Sequence, residues 1–338
     1  HNPPKYNGYK VYGPDGGQLV PEAAERLTRF VENVKFGDVR RIGREQAEAS
    51  GLLVWLGEET DREYVSAVIG VSRRPEELRA GLAADLTVVY TPLHGTGNRP
   101  VQAVLNSLGF SKLHVVAEQE RPDPNFSTVR SPNPEEREAF ALAIELAKRT
   151  NADLILGTDP DCDRMGAAVK DSSGDYVVLS GNQLGALMIH YLLSDMKSRG
   201  ELPANGVIIQ TIVTGELGAK IAERHGVGVM RTLTGFKYIG EKMTEFEKTG
   251  QYRFLFGYEE SYGYLAGTHA RDKDAVVACM LLSEAAAYYK SLGLSLSEVL
   301  QQLYDEYGYY MERLESRTFE GTAGMAKMGE MMDEWRHH

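Results

Sequence analysis

The sequence predicts consecutive α/β domains. Short β-branched runs alternate with helical stretches from residue 82 onward, and several runs end in loops rich in glycine, proline and charge. The sharpest of these loops, Gly157-Thr158-Asp159-Pro160-Asp161-Cys162-Asp163-Arg164-Met165-Gly166, directly follows a buried-looking strand at 153–156. Open α/β sheets keep their ligands at the carboxyl ends of strands, which is where this loop falls.

In chain order, residues 1–12 read as a loop entering a strand. Gly13-Pro14-Asp15-Gly16-Gly17 then turns the chain into Gln18-Leu19-Val20 as a hairpin. Pro21 opens a helix to about Val34, with Glu22 and Glu25 near its positive end. A second helix covers 60–71. Residues 1–56 read as the end of a domain, since neither segment can make a domain alone.

From there 86–90 is a buried strand, 101–108 a helix stopped at Gly109, and 113–117 a strand. A proline-rich connector, 121–132, follows. Asn133 is expected to cap a helix with Pro134 at its first position and Glu135 and Glu136 in its first turn, delivering the chain to the aspartate strand. A second α/β unit begins with the stripe Leu184, Leu187, Met188, Tyr191 and Leu192, in a helix ending at Gly200. Strands at 206–213, 227–233 and 253–258 alternate with helices at 215–224 and 236–248. Helices near 274–290 and 296–307 close the unit, the latter with a Ser295 and Glu298 capping box. One further helix lies beyond about Tyr310.

Composition narrows the function. The chain has 338 residues, 42% of them hydrophobic, and a formal charge of −11, which argues against a nucleic-acid surface. No run is long and apolar enough to cross a bilayer. Two distant cysteines, Cys162 and Cys279, suggest neither a disulfide framework nor a zinc site, and fit a reducing, cytoplasmic setting. His1-Asn2-Pro3-Pro4 does not have the make-up of a signal peptide.

Asp159, Asp161 and Asp163 occupy alternate positions, which in extended backbone share one face. Three carboxylates on one face call for a hard divalent cation bound by oxygen. A solvated acidic loop whose aspartates serve turns is the alternative. A calcium-binding EF-hand loop needs glycine and glutamate where this chain has Arg164 and Lys170, so that reading fails. Arginine directly after the triplet makes sense if the site also holds phosphate. The working hypothesis is a magnesium site for phosphoryl transfer.

Other motifs carry weaker signals. Gly95-Thr96-Gly97-Asn98-Arg99-Pro100 follows a strand and opens a helix, with Glu118 about twenty residues on. It supports a rival nicotinamide-dependent oxidoreductase, though Pro100 replaces the third glycine and a glycine-rich structural turn accounts for it better. In Gly257-Tyr258-Glu259-Glu260-Ser261-Tyr262-Gly263 the adjacent carboxylates and hydroxyl suit hydrogen bonding to sugar hydroxyls, the alternative being an acidic turn. Arg271-Asp272-Lys273-Asp274 precedes an apolar helix that Asp272 could cap. Thr234-Gly235-Phe236-Lys237 starts another helix, where Lys237 and backbone N–H groups could meet an anion. His1 and Lys10 have no signal of their own.

Taken together, these motifs resemble the α-D-phosphohexomutase family, in its phosphoglucomutase/phosphomannomutase branch. The resemblance runs from His1-Asn2-Pro3-Pro4-Lys5-Tyr6-Asn7-Gly8-Tyr9-Lys10 through the aspartate loop, Glu259-Glu260-Ser261 and Arg271-Asp272-Lys273-Asp274 to Tyr307-Gly308-Tyr309-Tyr310. It implies consecutive three-layer α/β domains with mixed sheets, phosphohexomutase-like. The expected division is 1–56 as the end of domain I, 57–178 as domain II, 179–305 as domain III and 306–338 as a connection toward domain IV.

The implied activity moves phosphate between O1 and O6 of a hexose, α-D-glucose on this branch, through a phosphoserine and a hexose 1,6-bisphosphate that also activates the enzyme. By resemblance Asp159, Asp161 and Asp163 hold Mg²⁺, Arg164 stands beside the phosphate, and Lys10 is the general acid/base. His1 adjoins the phosphoserine, Glu259 and Ser261 contact the sugar, and Lys273 and Lys237 lie near the substrate. The expected partners are small sugar phosphates, with no nucleic acid and no membrane. The family's phosphoserine precedes its His-Asn-Pro motif, so the resemblance places it just before His1, and domain IV after the region near Arg336. The expectation is therefore a core fragment inactive by itself. A competing one is a non-catalytic sugar-phosphate and metal-binding fragment.

Overall fold

The computed structural model describes residues 8–313, 319 and 321–337. The chain divides into two compact units, His1–Gly308 and Tyr309–His338. In the first, α1 (Pro21–Glu32), α2 (Arg44–Ala49), α3 (Glu58–Ile69) and the single turn α4 (Pro75–Glu77) precede the sheets. The first α/β layer set runs β1 (Thr87–Thr91), α5 (Asn98–Ser107), β2 (Lys112–Val115), α6 (Ala117–Glu120), α7 (Ala141–Thr150), β3 (Leu154–Thr158), β4 (Met165–Lys170) and β5 (Tyr176–Val178). The second runs α8 (Gly181–Ser198), β6 (Gly206–Thr211), α9 (Glu216–Arg224), β7 (Gly228–Thr232), α10 (Phe236–Thr249), β8 (Arg253–Tyr258) and β9 (Tyr264–Ala266), followed by α11 (Ala275–Ser291) and α12 (Leu296–Tyr307). The second unit carries α13 (Gly321–Arg336).

Both sheets are mixed. The first has the order β2-β1-β3-β4-β5, parallel from β2 to β3 and antiparallel from β3 to β5. The second has the order β7-β6-β8-β9, with β9 antiparallel. Strands β1, β3 and β6 are buried almost throughout, as continuous apolar runs in parallel sheets are. In each sheet the two crossovers run in opposite directions, and right-handed connections then put their helices on opposite faces. The result is two three-layer α/β domains.

On the first sheet, Phe140, Ala143 and Ala147 pack on Val89, Ile155 and Ala168. Phe140 fits because Gly157 and Gly166, paired in register, leave room for it. A Cβ at either would approach its Cζ to 2.9 or 3.1 Å.

Helix α11 is apolar on every side and almost wholly buried. It packs against α3, α5, β3 and β4 of the first sheet and against α8 and β9 of the second. A single helix thus serves both cores. A buried polar cluster reinforces the joint: Glu284 of α11 accepts from the Ser72 hydroxyl, from Tyr191 Oη at 2.7 Å and from Arg73 N–H at 2.9 Å. No single helix among the described residues is long and apolar enough to cross a membrane.

The structure corrects several local expectations. Asn133 does not cap a helix: its Oδ1 closes a short turn onto the Glu135 N–H at 3.2 Å, and regular helix begins only at Ala141 after a 3₁₀ turn. Pro134 and Glu135 therefore sit in a loop. Asp272 does not cap α11. Asp274 does, accepting from the Val276 and Val277 N–H groups at 2.8 and 3.1 Å. The 13–17 hairpin closes through one bridge, Tyr12 with Gln18.

Candidate functional site

The aspartate loop joins β3 to antiparallel β4, so it is a hairpin connection at the carboxyl end of a buried parallel strand. Its backbone is not simply extended. Cys162 adopts φ +58°, and its N–H reaches the Asp159 carbonyl at 3.0 Å. That turn, rather than strand alternation, brings the carboxylates together: one oxygen each of Asp159, Asp161 and Asp163 lie within 4.8 Å of one another. Asp159 is fully buried, and its Oδ1 accepts from the Asp163 and Arg164 N–H groups, both at 2.9 Å.

The loop is braced on both sides. Thr96 N–H donates to the Pro160 carbonyl at 2.9 Å, and Ala275 N–H, at the start of α11, donates to the Cys162 carbonyl at 3.1 Å. Gly95 and Gly97 exist for this contact. A Cβ at Gly95 would stand 2.5 Å from Pro160 Cα, and one at Gly97 2.6 Å from Cys162 Sγ. The glycines of the dinucleotide-like motif are packed against the aspartate loop, and the close backbone approach they permit is to protein.

Two lysines from distant segments converge on the carboxylates. Lys10 Nζ lies 2.9 Å from Asp163 Oδ2 and 3.3 Å from Asp161 Oδ2. Lys273 Nζ lies 3.1 Å from the same Asp163 oxygen and 3.3 Å from Asp272 Oδ1. Burial would push the Asp163 carboxyl up, but Lys273 and Lys10 outweigh it and hold it below the usual carboxylate range. Burial would likewise lower the Lys10 ammonium. The hydrogen bond to Asp163 and the charges of Asp163 and Asp161 hold it above its ordinary value instead.

Arg164 is ion-paired with Glu135, and its Nε stands 3.9 Å from Asp163 Oδ1. Burial would lower its guanidinium, and Glu135, Asp163 and Asp159 more than offset that. The Arg164 backbone forms an antiparallel bridge with Gly263, and Met165 N–H donates to the Tyr262 carbonyl at 3.0 Å. The aspartate loop of the first sheet is thereby stitched to the β8–β9 loop of the second.

In that second loop Glu259 is buried, its Oε1 accepting from the Gly235 N–H at 2.9 Å, and burial raises its carboxyl above the ordinary range. Glu260 Oε2 accepts from the Thr211 and Thr214 hydroxyls at 3.3 Å, tying the loop to the end of β6. Ser261 is half-buried beside them. Lys237 stands on the first turn of α10, two residues past the Gly235 that anchors Glu259, with its ammonium 5.2 Å from the Tyr238 ring centre.

Of the sequence-derived candidates, the structure brings together Asp159, Asp161, Asp163, Arg164, Lys10 and Lys273, with Glu259 and Ser261 on the adjoining loop. His1 lies outside the described residues. Sequence reasoning missed Tyr12, whose hydroxyl donates to Asp272 Oδ2 at 2.7 Å, and Glu135, the partner of Arg164. Tyr12 stands two residues from Lys10, alternate positions that share a face in extended backbone, and that spacing was the available signal. A cavity of about 570 Å³ opens beside Asp161, Cys162, Lys273 and Asp274. A larger one, about 770 Å³, lies away from the carboxylates, among Val71, Met196, Phe246 and Tyr252.

Comparison with known proteins gives these loops a family context. Residues 62–174 match the phosphoglucomutase/phosphomannomutase alpha/beta/alpha domain II, 180–307 match domain III, and 1–38 match domain I. A phosphoglucomutase of Staphylococcus haemolyticus (strain JCSC1435) is 39% identical over 339 residues, covering 100% of this chain and 60% of its own length. A phosphoglucomutase of Staphylococcus aureus (strain USA300) is 37% identical over 343 residues, covering 99% and 58%. The chain thus spans about three fifths of the length of the curated relatives it matches.

Among solved structures, one from Thermus thermophilus shares the fold with a TM-score of 0.69 at 22% identity, covering 90% of this chain and 61% of that one. The pp63/parafusin of Paramecium does so at 0.55 and 19% identity, covering 73% and 42%. With three family domains matched in succession and relatives at 37–39% identity aligned along 99–100% of this chain, the chain belongs to the phosphoglucomutase/phosphomannomutase family.

Proposed function

We propose that the whole protein interconverts hexose 1-phosphate and hexose 6-phosphate, with α-D-glucose as the hexose, through a phosphoserine and a hexose 1,6-bisphosphate that also serves as activator. One observation carries this reading: the carboxylate loop meets Lys10 and Lys273 at its side chains and the Glu259 loop at its backbone. Phosphoryl transfer asks for charge neutralisation and alignment, and this is where the chain concentrates both. The curated relatives named phosphoglucomutase support the choice of sugar.

The donor set suits a hard divalent cation, since it consists of three carboxylates converging at 4.8 Å or less. Asp159, Asp161 and Asp163 would hold one Mg²⁺, which when bound draws charge from a phosphoryl oxygen. Arg164, steadied by Glu135, turns its guanidinium to the phosphate. Lys10 moves the proton of the sugar hydroxyl that takes or releases the phosphoryl group. Glu259 accepts hydrogen bonds from sugar hydroxyls, Ser261 both accepts and donates, and Lys273 and Lys237 meet the substrate's charge. His1 adjoins the phosphoserine.

The same reading assigns 1–56 to the end of domain I, 57–178 to domain II, 179–305 to domain III and 306–338 to the connection toward domain IV. It takes sugar phosphates as the partners, with neither nucleic acid nor membrane, in the cytoplasm.

A protein of the relatives' length built around this chain should convert glucose 1-phosphate to glucose 6-phosphate with Mg²⁺ and a trace of glucose 1,6-bisphosphate. Asp161→Ala should abolish that conversion, and unchanged turnover would remove the metal role.

A further inference from the structure

Two ammonium groups crowd one carboxylate oxygen. Asp163 Oδ2 accepts from Lys10 Nζ at 2.9 Å and is ion-paired with Lys273 Nζ at 3.1 Å, and Lys10 Nζ also stands 3.3 Å from Asp161 Oδ2. Asp161 and Asp163 are two of the three residues that would hold the cation in the reading above, on which this inference rests. A magnesium ion binds carboxylate oxygen at about 2.0–2.1 Å, so an ammonium sharing those oxygens would face two positive charges across about 4 Å. The oxygens cannot serve the cation and both lysines on equal terms.

The lysines are unequally held. The Lys273 side chain is 11% exposed, pairs with Asp272 as well, and lies 5.8 Å from the Phe236 ring centre. Asp272 is itself fixed by the Tyr12 hydroxyl and by the Lys273 N–H at 2.8 Å. The Lys10 side chain is 40% exposed and rises from a hairpin closed by a single bridge. Among the described residues, both of its ion pairs are to would-be metal ligands.

We infer that a divalent cation entering at Asp161 and Asp163 displaces Lys10 and leaves Lys273 in place. Loading the metal then turns the Lys10 ammonium out of the carboxylates and frees it for the sugar hydroxyl. The residue assigned the proton transfer is the metal's competitor before it is the substrate's partner, which couples delivery of the one to binding of the other.

Two measurements on the 338-residue chain test this without reference to turnover. Titration calorimetry with Mn²⁺ reads the competition, and amine labelling followed by peptide mass spectrometry reads the displacement. Lys10→Met is expected to bind Mn²⁺ about two- to fivefold tighter than wild type, the scale of one partly exposed ion pair. Lys10→Arg, which keeps the charge, is expected to match wild type. Saturating Mn²⁺ should raise labelling of Lys10 and leave Lys273 unchanged. If Lys10→Met does not reproduce the wild-type circular dichroism spectrum, Lys10→Gln replaces it. Equal Mn²⁺ affinity in wild type and the neutral variant, or Lys10 labelling that ignores Mn²⁺, overturns the exchange while the metal reading stands. Failure of both proteins to bind Mn²⁺ overturns the two together.

Discussion

Gly181→Ala sets helix propensity against a close backbone contact at the edge of the site. Gly181 is the first residue of α8, and in a helix interior alanine is preferred over glycine by about 1 kcal/mol. Propensity alone would make the change mildly stabilising. An added Cβ, however, would lie 2.1 Å from the Glu260 carbonyl oxygen, 2.8 Å from its carbon and 3.0 Å from Tyr262 N. All three are backbone atoms of the β8–β9 loop, which no rotamer change can withdraw. Restoring ordinary contact requires a movement of about 1 Å or more. The loop resists through Glu259 on Gly235, Glu260 on Thr211 and Thr214, and Tyr262 on Met165. Overpacking of this kind costs about 1–3 kcal/mol. Net of propensity, Gly181→Ala should destabilise the chain by up to about 2 kcal/mol. Urea unfolding followed by circular dichroism measures it as a lower midpoint at unchanged m. A variant as stable as wild type, or more so, would show that α8 does not press on this loop.

His190 supplies a pH prediction. Burial, with a smaller contribution from His225, holds its imidazole down to about 4, so the native state favours the neutral ring while the unfolded chain titrates near the ordinary value. Between those values the unfolded state binds more protons, and stability falls as pH falls from about 6.5 to about 4, by roughly 3 kcal/mol in all. His190→Phe keeps the stack on Tyr289 and removes the titration, so between pH 7.5 and 5 it should lose about 2 kcal/mol less than wild type in urea unfolding. Equal losses would reject the assignment. Asp274→Ala removes the α11 cap and the acceptor of Tyr64 and His269. About 3 kcal/mol of stability should go with it, and Asp274→Asn, which can still cap, should lose less. A loss below about 1 kcal/mol for the alanine variant would count against the network.

Local chemistry made much of this fold readable. The Ser295 and Glu298 capping box forms as the sequence implies, and strand 253–258 is found at those residues, because caps and apolar runs are decided within a few residues. What escaped was decided at long range. Strand β4, Met165-Gly166-Ala167-Ala168-Val169-Lys170, has little β-branched character and is held by its neighbours, while β5 and β9 have three residues each. Glu135 looked like helix chemistry, yet tertiary structure uses it on Arg164, 29 residues away. The aspartate spacing pointed to convergence for a reason that is only half right, since a left-handed Cys162 makes the turn. Tyr12 and Asp272 are separated by 260 residues, and no local pattern could have joined them.

The shared helix α11 has a consequence for the proposed reaction. It is buried in both cores, its cap Asp274 directly follows Lys273, and its first N–H holds the Cys162 carbonyl of the aspartate loop. The Arg164 bridge to Gly263 then fixes the carboxylates relative to Glu259 and Ser261. With both loops set by one helix and one bridge, neither can move far without breaking the other's support. Under the proposed function one phosphoryl centre must serve both O1 and O6 of the same sugar. A rigid joint cannot carry the carboxylates from one end of the hexose to the other, so the sugar must present its two ends in turn. Glu259 and Ser261 must then accept hydroxyls in two orientations, and the demand falls on residues able to do so: a carboxylate with several acceptor sites and a hydroxyl that both accepts and donates.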